Sequence, residues 1–295
     1  MKISRAIQET IGTASGIGTY VLALIGVICF AGCKEKDVPY VIDSEEIENY
    51  LKQSEDAVNL FRSDGLVKSG TYTLVPGGPT FTDTVLSSNR SYDIWVSDTA
   101  WHLGSYGNLR VANATVTDEF TIRTTRKKNN DSIVSERTRR LERVGVFWKL
   151  GDDSEPYVGW LLWGVVGGSL SGSAITVATI GGTYRLDTLS KQGDTTLAGE
   201  KYIRIREGIP AAIPGGQLGV ILSTAPRLYP LISSVTNSGY FTAPMPPDDS
   251  GRYVTTVQLP DVYDRLFDVA LIQFVNDSLG TASANPVFIP YKILH

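Results

Sequence analysis

The sequence predicts an α+β region followed by an all-β region: one amphipathic helix with a curved antiparallel sheet, then a β-sandwich. Three observations carry this expectation. A clear helical spacing of apolar residues lies between Asp43 and Gly65. From Gly70 onward Thr, Val, Ile, Tyr and Trp are frequent, and turn clusters recur between them. Beyond Glu200 the β-rich runs become short and are bounded by Pro, Gly, Asp or Asn. Period and punctuation of this kind separate helix from strand.

The chain opens on a segment carrying Lys2 and Arg5, then an apolar run of 11 residues from Tyr20 to Phe30. A membrane-spanning helix needs about 20 apolar residues. Extended back to Ile11, the 20-residue stretch holds four glycines, two threonines and a serine. A secretory leader therefore fits better than a spanning anchor. The run closes on Phe30-Ala31-Gly32-Cys33, whose small residues before the cysteine suit a peptidase pocket. Cys29 follows the bulky Ile28 and competes poorly. This order resembles the lipobox of a bacterial lipoprotein precursor. The resemblance implies that residues 1–32 are a signal peptide and that Cys33 becomes the first mature residue. It also implies a diacylglycerol on the Cys33 sulfur and an acyl chain such as palmitate on its amine. Two or more chains give stable anchoring. Lys34 stands where the family's inner-membrane retention signal is typically an aspartate, which leans towards the outer membrane, on its periplasmic or surface face. Residues 33–42 then form a lipidated tether.

Cys29 and Cys33 are the only cysteines, so the body of the protein has no disulfide. About 260 residues remain after the leader, enough for one large or two ordinary domains. The chain holds 27 basic and 31 acidic residues, a net charge of −4. That balance argues for solubility and against a nucleic-acid partner.

Asp43 is an expected N-cap, with Glu46 three residues on as in a capping box. Ile47, Tyr50, Leu51, Val58 and Phe61 form the core-facing stripe, widened by Ala57 and Leu60. The helix should stop near Ser63-Asp64-Gly65. The best-defined strand pair is Glu119 to Lys128 and Ser132 to Leu150, joined by a turn at Asn129-Asn130-Asp131. A third strand, Tyr157 to Val166, follows a polar turn. The helix segment Asn59-Leu60-Phe61-Arg62-Ser63-Asp64-Gly65 and the Trp160-Leu161-Leu162-Trp163 strand loosely resemble the nuclear-transport-factor-2-like fold over roughly residues 43–166. That fold normally has more than one helix before its sheet, and one good helix is legible here.

A boundary is expected between Gly167 and Gly199, placed at 190/191, with Ile175 to Ile180 as a candidate strand before it. Further candidates are Tyr202 to Arg206, Gln217 to Ser223, Tyr240 to Ala243, Tyr253 to Gln258, Leu266 to Phe274 and Val287 to Ile293. Short, regularly spaced strands of this number match an Ig-like sandwich for residues 191–295. Pro246 to Val254 also resembles the acidic turn and aromatic strand of Ig-like and E-set modules. The sequence thus divides into residues 43–190 (α+β) and 191–295 (Ig-like).

Chemistry is sparse. His102 and His295 are the only histidines, so His/Cys metal clusters are excluded and no catalytic residue is assigned. No cofactor is expected. Asp152-Asp153-Ser154-Glu155 and Asp248-Asp249 are the densest carboxylates and sit at expected turns. Arg126, Lys127, Lys128, Arg137 and Arg139 are the candidate partner-docking residues, on a hairpin whose alternation puts Arg137 and Arg139 on one face. Trp95, Trp101, Trp160 and Trp163 are the candidate ligand-binding aromatics; the spacing of Trp160 and Trp163 sends them to opposite sides of a strand. Recurrent Asp-(Ser/Thr)-apolar triplets, such as Asp83-Thr84-Val85, look like O-glycosylation acceptors of exported proteins. The expected function is a lipid-anchored envelope protein that binds a ligand, an envelope protein or a glycan without catalysis. The alternatives are a hydrolase using paired carboxylates in an α+β pocket and a purely structural envelope component.

Overall fold

The computed structural model describes residues 42–166, 175–179, 182–185, 196–197, 200–201, 203–205, 209–222, 228–236, 238–261, 267–276 and 286–294. The leader, the lipobox with Cys33, most of the tether and His295 lie outside the described residues. Asp43–His295 forms one compact unit. It is mostly β, with few helices and a curled sheet.

Two helices replace the single predicted one: α1 (Asp43–Gln53) and α2 (Glu55–Leu60). The break falls at Ser54, whose backbone is extended at φ −67 and ψ 125. Ser54 followed by Glu55 and Asp56 is a helix start, since a small polar residue suits the cap and acids suit the first turn. The new start turns the apolar stripe. Ile47, Tyr50, Leu51, Ala57, Leu60 and Phe61 are buried as expected, but Val58 faces solvent.

The strands in chain order are β1 (Gly70–Thr73), β2 (Thr80–Val96), β3 (Trp101–His102), β4 (Asn108–Leu109), β5 (Val111–Lys128), β6 (Asp131–Lys149) and β7 (Trp160–Val165). They continue as β8 (Ile175–Thr179), β9 (Gly182–Arg185), β10 (Thr196–Leu197), β11 (Glu200–Lys201), β12 (Ile203–Arg204) and β13 (Ala211–Ala212). The last six are β14 (Gln217–Leu222), β15 (Leu228–Thr236), β16 (Gly239–Pro244), β17 (Tyr253–Gln258), β18 (Phe267–Asn276) and β19 (Val287–Ile293). The expected hairpin is present, but β5 begins earlier than predicted. β5 and β6 pair from Val111↔Trp148 to Lys128↔Asp131. Asn129 takes φ 53 in their two-residue turn, a conformation that asparagine tolerates better than most residues.

Three large sheets result. The six-stranded sheet runs β1-β2-β5-β6-β7-β12, the five-stranded sheet β13-β19-β18-β15-β16 and the four-stranded sheet β17-β14-β8-β9. The five-stranded sheet lies between the other two. In β18, Ala270, Ile272 and Phe274 share a core with Leu218, Val220 and Leu222 of the four-stranded sheet. Val269 and Leu271 point the other way, onto Phe120, Ile122 and Leu141 of the six-stranded sheet. A strand buried on both faces reads as a near-continuous apolar run, and Val269 to Val275 is one.

Two pairings cross the 190/191 line expected from sequence. β8 joins β14 in the four-stranded sheet, and β12 joins β7 at the edge of the six-stranded one. Each sheet recruits its edge from the far side of that line, and an edge strand needs a partner wherever the chain supplies one.

The helices cover one end of the six-stranded sheet's inner face, where Ala112, Ala114 and Phe147 pack under Ile47, Leu51 and Phe61. The five-stranded sheet covers the rest of that face. Between these two covers the inner face carries charged side chains.

Candidate functional site

The β5–β6 register sets Val116 against Arg143, Phe120 against Arg139 and Ile122 against Arg137. Alternation therefore aims Arg137, Arg139 and Arg143 inward, on the side that Arg140 and Glu142 do not share. Arg140 and Glu142 pair with each other in solvent at 2.6 Å. Two polar clusters form on this inner face.

The first is closed. Arg90 Nε donates to Asp118 Oδ1 at 2.6 Å, and Arg143 donates to Asp118 Oδ2. Arg90 Nη2 also reaches the Phe61 carbonyl at 2.9 Å and Ser63 Oγ at 2.8 Å. Arg143 Nη1 donates to the Arg62 carbonyl at 2.8 Å. The two guanidiniums thus satisfy carbonyls at the C-terminal end of α2, where a helix leaves acceptors free and attracts positive charge. Burial pushes the Arg143 guanidinium down to about 10, with the Asp118 charge opposing that shift.

The second is open. It lines a cleft of about 370 Å³ between the β1 edge of the six-stranded sheet and the β16 edge of the five-stranded sheet. Asp83 and Arg139 come from β2 and β6, Tyr72 from β1, and Gln273 from β18. The Leu66 to Gly70 segment and Tyr240 to Thr242 form the mouth. Asp83 Oδ1 accepts from Thr124 Oγ1 at 2.6 Å, and Asp83 Oδ2 accepts from the Tyr72 hydroxyl at 3.3 Å. Burial, then the Asp83 charge, hold the Tyr72 phenol well above its ordinary range, so it stays a donor.

Arg139 is the unusual member. Its side chain is buried, with 9% of the residue exposed. Nη1 donates to Gln273 Oε1, but Nε has no hydrogen-bond partner, and no carboxylate among the described residues lies within ion-pair distance. Burial lowers its affinity for the proton, partly offset by the Asp83 charge. At the mouth, Lys68 Nζ donates to the Tyr240 carbonyl at 2.6 Å. Among the described residues lining the cleft, Asp83 is the one carboxylate, set against Arg139 and Lys68.

The residues predicted for partner docking do not form one surface. Lys127 and Lys128 are exposed near the hairpin tip, Arg126 and Arg137 are half-buried, and Arg139 is buried in the cleft. Trp160 and Trp163 fall on opposite sides of β7, as their spacing required. Trp160 is buried on the inner side and donates from Nε1 to Asp43 Oδ1 at 2.8 Å. Trp163 lies on the outer side, stacked on Trp148 with ring centroids 4.1 Å apart. Trp101 joins that outer cluster, and Trp95 meets Trp101 edge-on at 6.1 Å. None of the four lines the cleft.

Asp43 does more than start a helix. Its carboxylate takes Trp160, Arg110 Nη1 at 2.6 Å and Lys149 Nζ at 3.3 Å, tying α1 to the sheet. Burial acts to raise its proton affinity, but the bonds from Trp160 and Arg110 and the Lys149 charge outweigh it and hold the carboxyl low. The carboxylate runs occupy turns. Asp248 Oδ1 accepts from the Ser250 and Arg252 backbone N–H groups, both at 2.9 Å, closing its own turn. Asp153 pairs with Lys149 at 2.6 Å. His102 is exposed, with Nδ1 3.2 Å from Asn108 Oδ1. No group of three or more metal-ligating side chains occurs among the described residues.

Tyr72, Lys68 and Gln273 were not singled out from sequence, and Asp83 was named there only within an Asp-Thr-Val triplet. Asp83 left a usable signal: it sits two residues from Phe81 on the same buried face of β2, where carboxylates are disfavoured. Gln273 interrupts an apolar run in the same way.

The fold and cleft define a layered β protein with a polar, cation-rich opening between two of its sheets. Compared with known proteins, the chain matches no family model, no curated protein and no solved structure. No helix among the described residues is long and apolar enough to cross a membrane.

Proposed function

We propose that this chain is a lipid-anchored envelope protein that binds a small ligand in the cleft between its six- and five-stranded sheets, without catalysing a reaction. One observation carries the reading: a cleft of about 370 Å³ lined by Arg139, Asp83, Tyr72 and Gln273. Ligand sites are concave, mainly apolar and equipped with a few convergent polar groups, at volumes of roughly 300–1,000 Å³. Leu66, Val67, Ile122 and Leu231 supply the apolar wall here. A carboxylate-pair hydrolase needs two acids across its substrate. In this lining Asp83 stands alone among the described residues and is already held by Thr124 and Tyr72. A purely structural component has no use for such an opening.

The anchor reading rests on Phe30-Ala31-Gly32-Cys33 and on the start of the compact unit at Asp43, which leaves 33–42 as a tether. The outer membrane is the proposed site, from Lys34 after the cysteine. The strand order supports an Ig-like reading of the C-terminal part. β19-β18-β15-β16 run in the order G-F-C-C′, and β17-β14 in the order E-B. The helix pair on a curled sheet is in keeping with an α+β layout similar to the nuclear-transport-factor-2-like fold.

Two measurements test the proposal. Intact mass of the protein from an envelope fraction should show Cys33 as the first residue, carrying lipid; an unmodified chain beginning at Met1 contradicts the anchor. Native mass spectrometry should show a small molecule on the wild type that Gly70→Trp loses. Gly70 lines the cleft, and a Cβ added there meets no atom within 4 Å, so the new ring enters open space. Equal loading of both proteins contradicts the cleft as the site.

A further inference from the structure

Arg139 poses a charge problem that the fold alone does not solve. A guanidinium removed from water without a carboxylate costs several kcal/mol. The closed cluster four residues along β6 shows the usual solution, in which Asp118 neutralises Arg143. Arg139 has instead a neutral amide, Gln273, as its acceptor; the Nε of each arginine lacks a partner, so the missing carboxylate pair is what sets Arg139 apart. It is nine-tenths buried and lines an open cleft, with Lys68 adding a second cation at the mouth. An anionic group entering the cleft would complete this arrangement, and a planar carboxylate matches a guanidinium edge best.

The rest of the lining describes the remainder of that molecule. Asp83 is an acceptor at the cleft wall, Thr242 and Thr71 offer hydroxyls, and Tyr240 and Phe241 are 37% and 38% exposed at the mouth. A carboxylate next to several hydroxyls, with a flat face for an aromatic ring, is the chemistry of an acidic sugar. Aromatic faces and convergent acceptors are what a polyhydroxylated ring needs. The lining also disfavours a simple zwitterion, because Asp83 is already engaged by two hydroxyls while Arg139 and Lys68 make no ion pair among the described residues.

We propose that the cleft binds a carboxylated sugar, its carboxylate on Arg139 and its hydroxyls directed to Asp83 and Gln273. This rests on the cleft being the ligand site, as proposed above. The experiment is calorimetric titration of the purified lipidated protein in detergent with glucuronate and galacturonate, their methyl esters, acetate and glutamate. Either uronate should bind, and its methyl ester should bind at least about tenfold more weakly, since a charged hydrogen bond contributes roughly 1.5–3 kcal/mol. Arg139→Gln should lose uronate binding by at least about tenfold, and Arg139→Lys should recover part of it. Thermal unfolding of each variant confirms that it is folded.

Equal affinity for uronate and ester, or for uronate and acetate, overturns the assignment. So does preference for glutamate, or an unchanged Arg139→Gln. If uronates fail but another small molecule binds wild type and not Gly70→Trp, the sugar acid falls and the cleft as ligand site stands. If uronates bind Gly70→Trp as well as wild type, both readings fall.

Discussion

Arg139 and Arg143 lie one above the other on the same face of β6, and their surroundings differ in one respect. Arg143 has Asp118 and a helix-end carbonyl, and its cluster also holds Arg90 against Ser63. Arg139 has a glutamine and an opening. The same residue type, equally buried, is a fastening in one place and a free recognition group in the other. Buried charge by itself does not reveal which; the partner list does. A buried charge paired with a carboxylate is held by the fold it sits in, and one buried without such a pair points to something outside the chain.

The largest expected effect falls on the closed cluster. Asp118→Ala removes the carboxylate that Arg90 and Arg143 both pair with and leaves the two guanidiniums without an ion-pair partner among the described residues. It should destabilise by about 3–5 kcal/mol in urea unfolding. A loss under about 1 kcal/mol would dissolve the contrast drawn between the two arginines.

Asp43 comes next. Asp43→Asn should cost about 1–2 kcal/mol at neutral pH, because its carboxylate receives Trp160, Arg110 and Lys149 together. The folded-state affinity for the proton is lowered, so this contribution is complete above the unfolded value near pH 4 and fades as pH falls through the lower folded value. Wild type and variant should therefore converge in stability as pH falls below the unfolded value near 4. A gap that stays constant across that range would contradict the ion-paired role.

The smallest effect belongs to the exposed part of the basic hairpin. Lys127→Gln with Lys128→Gln should change stability by less than about 0.5 kcal/mol and leave uronate binding unaltered. A loss of binding would move the site from the cleft to the hairpin tip.

Much of the chain's architecture was legible in its sequence, for specific reasons. The strands Gln217–Leu222, Tyr253–Gln258 and Val287–Ile293 were readable because Pro, Gly, Asp or Asn bounds each run. β15 was not, since Pro230 and the Ser233-Ser234 pair interrupt its apolar pattern. In the fold Pro230 lies just beyond the paired stretch with β16, which begins at Leu231, and Ser233 shares a hydrogen bond with Thr242 at 2.9 Å. The helix break at Ser54 was readable in hindsight from Ser-Glu-Asp, but the apolar stripe running past it concealed the restart.

The cleft was less accessible still. Alternation correctly put Arg137 and Arg139 on one face, yet it did not say whether that face meets water or a second sheet. The answer came from β18, more than a hundred positions away in sequence. Gly70, Asp83, Arg139, Tyr240 and Gln273 meet through sheet packing, so no local spacing announces them. The aromatics misled for the complementary reason. Trp148, Trp160 and Trp163 are large enough to satisfy both a core and a pocket, and here they pack with one another or with Asp43.

The central claim is that Arg139 is kept for a ligand and not for the fold, and the unfolding free energy of Arg139→Met in ligand-free protein tests it most directly. Methionine replaces the stem and removes the unneutralised charge. Stability equal to wild type, or higher by about 1–4 kcal/mol, is the predicted result. A loss comparable to that of Asp118→Ala would show that Arg139 is a fastening like Arg143, and the account of the cleft would fail with it.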